Sequence, residues 1–332
     1  MCRCGPSMSE IAVFASGRTS AIAFDASDRV PALYAPDAPA AKRAFEFFAV
    51  NIRNANTRKA YARAASEFAT WCELHGIADV RQVQAVHVAA YIEGLQIAAP
   101  SVKQRLAALR MLFDWLVVGQ IMPTNPASSV RGPRHSVKKG KTPVLAAEEA
   151  RALLDAIDIS TAIGLRDRAL IGLMVYTFAR VGAAVQMRVE DVYVQARRTW
   201  VRLHEKGGKV HEMPCHHNLE AWLQEYIEGA QLGDKKGHLF RSVAGRTGRL
   251  AGGPMRQADV FRMVGRRAKA ASIRTRIGCH SFRATGITEY LKNGGKLEVA
   301  QQMANHESAR TTGLYDRRIN QVNLDEVERI VI

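Results

Sequence analysis

Six side chains in the second half of the chain could act together on an anion: Arg180, Lys206, His280, Arg283, His306 and Tyr315. His280 and Arg283 form an HxxR in HSFR, His306 precedes Tyr315 by nine residues in HESARTTGLY, Arg180 ends the apolar run IGLMVYTFAR, and Lys206 opens KGGK. Singly, each is ordinary. Arg180 reads as a helix-end salt-bridge residue, Lys206 and Lys209 as solvated turn lysines, His306 as a cap and Tyr315 as a core tyrosine. A second HxxR, His238-Leu-Phe-Arg241, reads as accidental. Jointly, the set suits attack on a phosphodiester, which builds charge on the non-bridging oxygens. No metal-ligating motif is present, so fixed cations have to meet that charge. Guanidinium binds phosphate oxygens in pairs and stays charged, which assigns Arg180 and Arg283. His306 would add a hydrogen bond. A phenol, with an ordinary pKa of about 10, attacks at neutral pH only with cations and a base nearby. His280 is the candidate base, and the leaving oxygen needs an acid.

Several elements must carry these residues. Residues 1–36 are small, polar and Ala-rich, and are expected to form a poorly ordered tail. From Ala38 to about Val118 four stretches are amphipathic at helical spacing: AAKRAFEFFAVNI, NTRKAYARAASEFATWCELHG, VQAVHVAAYIEGL and SVKQRLAALRMLFDWLVVG. In the last, Val102, Leu106, Leu109, Phe113, Leu116 and Val117 share a face, with Ser101 as the expected N-cap and Gly119 as the stop. A helical domain over residues 37–128 follows. Arg53, Arg58, Lys59 and Arg63 crowd the start of its second helix, where DNA contact and a solvated face fit equally well. Residues 129–143 form a linker rich in Pro and Gly, with Arg131, Arg134, Lys138, Lys139 and Lys141 and no acid, able to lie along a phosphate backbone. Beyond it, residues 144–332 mix helices (146–157, 165–178, 219–229, 257–271, 280–293 and 297–305) with two short strands around KGGK, where Gly207 and Gly208 permit a hairpin.

The bulk numbers agree with a nucleic-acid partner. The 332 residues carry 47 Lys and Arg against 31 Asp and Glu, a net charge of +16 and a pI near 10.0. Such an excess attracts a polyanion or an anionic membrane surface. No apolar run approaches the roughly 18–20 residues that span a bilayer, and MCRCGPSMSEIAVF lacks a signal-peptide core. Cys2, Cys4, Cys72, Cys215 and Cys279 form no CxxC pair, which predicts reduced thiols in a cytoplasm and no structural zinc. The histidines around the hairpin, His204, His211, His216 and His217, lack helical spacing and a carboxylate partner for a metal.

The order Arg180, Lys206, His280-x-x-Arg283, His306, Tyr315 resembles the tyrosine recombinase (phage integrase) family, especially its compact Xer-like members. HSFRATGITEYLKNGGKLEVAQQMANHESARTTGLY is similar to the family's C-terminal block throughout, including Thr311-Thr312, and the helical first half is similar to its core-binding, SAM-like domain. The resemblance implies a mainly α fold with a small antiparallel β-sheet (α+β), built as a two-domain DNA clamp. It implies site-specific cutting and rejoining of double-stranded DNA without cofactor. Tyr315 would be the nucleophile, giving a 3′-phosphotyrosine, and Lys206, rather than Lys209, the general acid. It further implies a homotetramer on paired sites, with a second recombinase as a possible partner. The apolar tail, with Leu324, Val327, Ile330 and Val331 at helical spacing, would then dock onto a neighbouring protomer. The family usually has an acid three positions after the first arginine, and here stands Ala183. Asn305 replaces a usual glycine before the second histidine, and Phe178-Ala179 replaces a glycine-containing approach to Arg180. Two other readings remain at this point: a DNA-binding regulator with weak catalysis, and a monomeric nicking and closing protein like a type IB topoisomerase.

Overall fold

The computed structural model describes residues 30–135, 140–205, 208–245 and 247–316. They fall into two compact units, the first running to Ser136 and the second starting at Val137. The first unit is helical: α1 (Ala38–Glu46), α2 (Ala55–Leu74), α3 (Ala85–Gly94) and α4 (Ala99–Val118). The expected tail is too long at its inner end. Leu33 and Tyr34, on a 3-10 turn over Ala32–Tyr34, are fully buried, and the Tyr34 hydroxyl donates to the Ala65 carbonyl at 3.1 Å. An apolar pair beside a polar segment is worth more inside the core than in water.

Asp37 caps α1, its carboxylate accepting the Ala40 N–H at 2.9 Å. The helix widens into a π-type turn over Phe47–Asn51 and buries both consecutive phenylalanines, Phe47 and Phe48. The Asn54 side chain caps α2 by accepting from the N–H groups of Asn56 and Thr57. The expected cap of α4 is corrected. The N-cap is Ala98, and Pro100 lies inside the first turn, where its missing N–H has no intrahelical partner to lose. Gly119 ends α4 as expected. Phe68 of α2 and Leu109, Leu112, Phe113 and Leu116 of α4 centre the core.

The second unit holds α5 (Ala147–Asp155), α6 (Ala162–Tyr176), α7 (Val181–Gln186), β1 (Val192–Gln195), β2 (Arg198–His204), β3 (Val210–Pro214) and α8 (His217–Gly229). There follow β4 (Arg241–Val243), β5 (Leu250–Pro254), α9 (Gln257–Ala270), α10 (Cys279–Lys292), α11 (Leu297–Met303) and α12 (Ala309–Gly313). The apolar α6 lies between α8 and α10, which accounts for its burial nearly all round. β2 and β3 form the predicted antiparallel hairpin, with Leu203 opposite His211 and His204 opposite Val210. β1 adds a third strand, and β4 and β5 make a separate two-stranded sheet, so there are two small sheets among the described residues. The β5 sequence LAGGP has too few apolar residues to show alternation. Arg241 of the second HxxR lies on β4 and donates from Nε to the His238 carbonyl at 3.1 Å. Among the described residues no helix is long and apolar enough to cross a membrane.

Candidate active site

The HxxR opens α10. Arg283 is 1% exposed, and its guanidinium donates from Nη1 to the Phe178 carbonyl and from Nη2 to the Ala304 carbonyl. Both acceptors belong to helix ends. Phe178 lies just beyond α6, and Ala304 just beyond α11. Two main-chain carbonyls at the close of two helices therefore hold one cation, that of Ala304 at the C-cap of α11 and that of Phe178 in the turn after the C-cap of α6. The chain turns at both places through a left-handed residue, Phe178 with φ of 55° and Asn305 with φ of 46°. Asn305 stands where the resemblance leads one to expect glycine, and Phe178 belongs to the pair that replaces a glycine-containing approach, so both left-handed turns form here without glycine. Asparagine tolerates that region, whereas phenylalanine is strained there by about 1–2 kcal/mol. Burial of the Phe178 ring among Ile287, Leu291 and Tyr315 offsets the strain. Gly286, one turn after Arg283, is required by close packing: a Cβ there would run into the Val175 carbonyl.

Arg180 is not at the end of α6, as expected, but at the N-cap of α7. Phe178 has already turned the chain, and Arg180 is extended. Its Nη1 lies 2.8 Å from Glu205 Oε2, with the arginine side chain 43% exposed and the glutamate 5%. Ala183 is buried on the first turn of α7.

Tyr315 joins these groups through two histidines. Its hydroxyl lies 2.7 Å from His280 Nε2, and its ring is parallel to that of His306 with centroids 6.0 Å apart. His306 Nδ1 lies 2.9 Å from Thr312 Oγ1. The backbone around Tyr315 is pinned at two carbonyls. Gly140 N–H donates to Leu314 O at 2.9 Å and Thr288 Oγ1 to Tyr315 O at 3.0 Å. At Gly140 a Cβ would come 2.6 Å from Leu314 O, so only glycine allows this approach.

The charges set the protonation states. Burial, then Arg283 and Arg180, hold the His280 pKa below the ordinary histidine value, although the residue as a whole is exposed. The same causes, with His280 in addition, bring His306 down to about 4. Burial pushes the Tyr315 phenol up, against the pull of Arg283 and Arg180. Burial, and then Arg180, lower Arg283 to about 10, which still leaves it charged at neutral pH. At pH 7 the site thus holds two cations, two neutral imidazoles and a neutral phenol. A neutral His280 can accept the phenolic proton at Nε2.

Five of the six expected chemical residues, all but Lys206, therefore share one site. Lys206 lies outside the described residues, as do Lys138, Lys139 and all residues from 317 onward, the apolar tail with Leu324, Val327, Ile330 and Val331 among them. Lys209 Nζ pairs with Glu307 at 2.9 Å. Arg131, Arg134 and Lys141 are exposed. On α2, Lys59 is exposed, whereas Arg58 is half-buried with Nε and Nη2 on the Ile52 carbonyl. The four histidines near the hairpin do not come together as one group among the described residues: His204 bonds Asp191, while His216 caps α8, stacks on Tyr176 and meets only the neighbouring His217, with ring centroids 4.0 Å apart. Sequence reasoning missed Glu205, Thr288 and the carbonyls of Phe178 and Ala304. For Glu205 a signal existed. Alternation along β2 continues from buried Val201 and Leu203 to residue 205.

Known proteins share this plan. "Tyrosine recombinase XerD" of Corynebacterium glutamicum is 27% identical over 273 residues, 79% of this chain and 87% of its own. "Tyrosine recombinase XerC" of Escherichia coli K12 / DH10B is 27% identical over 241 residues, 71% of this chain and 75% of its own. Among solved structures, XerH site-specific recombinase bound to a palindromic difH substrate superimposes with a TM-score of 0.64 at 21% identity, over 82% of this chain and 79% of that one. A lambda integrase tetramer bound to a Holliday junction gives 0.64 at 19%, over 85% and 78%. These likenesses establish the two-domain, mostly helical fold. The sequence pattern of the phage integrase N-terminal SAM-like domain matches residues 48–119. That of the phage integrase family matches residues 143–321, which include all six expected chemical residues, and the chain belongs to that family.

Proposed function

We propose that the protein is a site-specific DNA recombinase that cuts and rejoins strands through a covalent 3′-phosphotyrosine at Tyr315, using neither metal nor ATP. The observation that carries this reading is the 2.7 Å contact between the Tyr315 hydroxyl and His280 Nε2, with Arg283 and Arg180 close enough to act on both groups. His280 takes the phenolic proton as the phenolic oxygen attacks phosphorus. The two guanidiniums receive the charge that grows on the non-bridging oxygens, and His306 adds a hydrogen bond. The bond from phosphorus to the 5′-oxygen breaks, and Lys206 protonates that oxygen as it leaves. A 5′-hydroxyl from another strand then attacks the phosphotyrosine. Its proton goes to Lys206, and the phenol regains one from His280. The number of phosphodiester bonds is unchanged, so no ATP is needed.

The duplex is bound by both domains, with the basic segment 129–143 along the backbone and Lys59 and Arg58 on the first domain. Protomers assemble as a tetramer on two sites in the bacterial cytoplasm, alone or with a second recombinase. A plasmid with two copies of a captured site tests the reading. In EDTA and without ATP it should yield two circles. Relaxation of supercoils without exchange would favour the nicking and closing reading, and binding with neither outcome the regulator.

A further inference from the structure

Glu205 is an acid where the fold offers little reason for one. Strand alternation turns it inward beside Val201 and Leu203, and its side chain is 5% exposed. A carboxylate so placed is costly unless a cation accompanies it. Its partner is Arg180, whose side chain remains 43% exposed. The acid is thus the fixed member of the pair, and the arginine keeps a face free for a ligand. Nothing on α7 could do the same: its six residues, VGAAVQ, include no acid, and buried Ala183 offers only a methyl group. The backbone beneath Glu205 is fixed as well, since its N–H donates to the Lys209 carbonyl at 2.8 Å.

Two guanidiniums must also share this pocket. The charge of Arg180 works against that of Arg283, and the charge of Glu205 supports it. The carboxylate therefore answers both arginines, though only Arg180 touches it.

We propose that Glu205 is the positioning residue of the phosphate clamp, holding Arg180 in place and offsetting its repulsion with Arg283 from the hairpin, because α7 carries Ala183 instead of an acid. The idea rests on the recombinase reading for its consequence and on the ion pair for its basis. Adding an acid at 183 to the unaltered protein should bring little gain, because the place is already filled.

The experiment compares unaltered protein, Glu205→Gln, Glu205→Asp and the pairs of Glu205→Gln with Ala183→Glu or Ala183→Asp. Each is tested in single-turnover cleavage of a nicked duplex, with DNA binding measured in parallel. Glu205→Gln should slow cleavage by roughly 10- to 100-fold, as expected for a misplaced clamp, with affinity changed only a few-fold. Glu205→Asp should recover part of the rate, and an acid at 183 should recover part of it in the Gln background. Replacing the 5′-bridging oxygen by sulfur should not help, because the defect lies in the clamp and not in the acid. Full rescue by sulfur, an unchanged rate, or no recovery from either acid at 183 in folded protein would overturn the proposal. Absence of adduct from the unaltered protein would instead overturn the recombinase reading. The ion pair is then tested without DNA: the Tm losses of Arg180→Ala and Glu205→Gln should combine to less than their sum, and full additivity would overturn the proposal.

Discussion

Arg283→Lys isolates what the two helix ends contribute. The arginine fork reaches the carbonyls of Phe178 and Ala304 together, whereas an ammonium is a point charge that reaches one of them. The other carbonyl is then left buried without a donor, at a cost of about 1–3 kcal/mol. One charge-assisted hydrogen bond, worth about 1.5–3 kcal/mol, is lost with it. Part of this overlaps, so the net loss should be of the order of 2–4 kcal/mol. For a unit of this size that lowers Tm by roughly 5–15 °C. The buried lysine also sits near Arg180, and both burial and that neighbour favour its neutral form. Cleavage should therefore fall further than stability suggests, by about 100- to 1,000-fold, the usual result of losing one fixed donor to a developing oxyanion. Thermal unfolding and single-turnover cleavage of a nicked duplex, run at a temperature where the variant is folded, measure the two effects separately. A Tm within a degree or two of the unaltered protein, with a rate within threefold, would refute the assignment of Arg283 to both helix ends and to the phosphate.

Other substitutions probe neighbouring features. Asn305→Gly keeps the left-handed turn, which asparagine already tolerates, and any small relief is opposed by the greater freedom of glycine in the unfolded chain, so stability should change by less than about 1 kcal/mol with cleavage unchanged; a clear loss would show that the asparagine side chain has its own role. His306 titrates at about 4 in the folded chain and near 6.5 when unfolded, so between those values the unfolded state binds more protons. Stability should therefore fall as pH drops from about 6.5 toward 4, by of the order of 2–3 kcal/mol at this position, and His306→Gln should flatten the slope; an unchanged slope contradicts the burial argument. Cleavage should persist below the ordinary histidine range, because the lowered pKa keeps His280 able to accept a proton in mildly acidic buffer; an acid limb above pH 6.5 would remove His280 as the base. Neutralising Arg131, Arg134, Lys138, Lys139 and Lys141 should reduce the slope of log affinity against log salt; an unchanged slope would take the linker off the backbone.

Much of this is legible in the sequence because the chemistry needs particular residue types and the resemblance to the family supplies the order in which they stand. HSFR at a helix start and TTGLY after a histidine survive any reasonable error in helix ends, and the KGGK glycines announced the hairpin. What stayed hidden depended on backbone direction. Phe178 gives no hint that it adopts φ of 55°, since only tertiary packing makes that conformation worth its strain. The acceptors for Arg283 are main-chain carbonyls, which no side-chain pattern reveals. Ala183 looked like a missing acid because replacement from another element is invisible to local spacing, although alternation along β2 pointed to Glu205. Leu33 and Tyr34 were lost in a polar tail for want of a periodic run around them.

Covalent capture with Tyr315→Phe bears most directly on the assignment of the nucleophile. Unaltered protein and variant are incubated with a nicked duplex bearing a captured site, denatured, and examined for protein-linked DNA. The variant loses one hydroxyl, and with it the oxygen that lies 2.7 Å from His280 Nε2. The unaltered protein should become attached to the 3′-phosphate through the peptide containing Tyr315. The variant should bind the same duplex within a few-fold and form no adduct. Covalent attachment by Tyr315→Phe, or attachment of the unaltered protein through any other residue, would contradict the assignment.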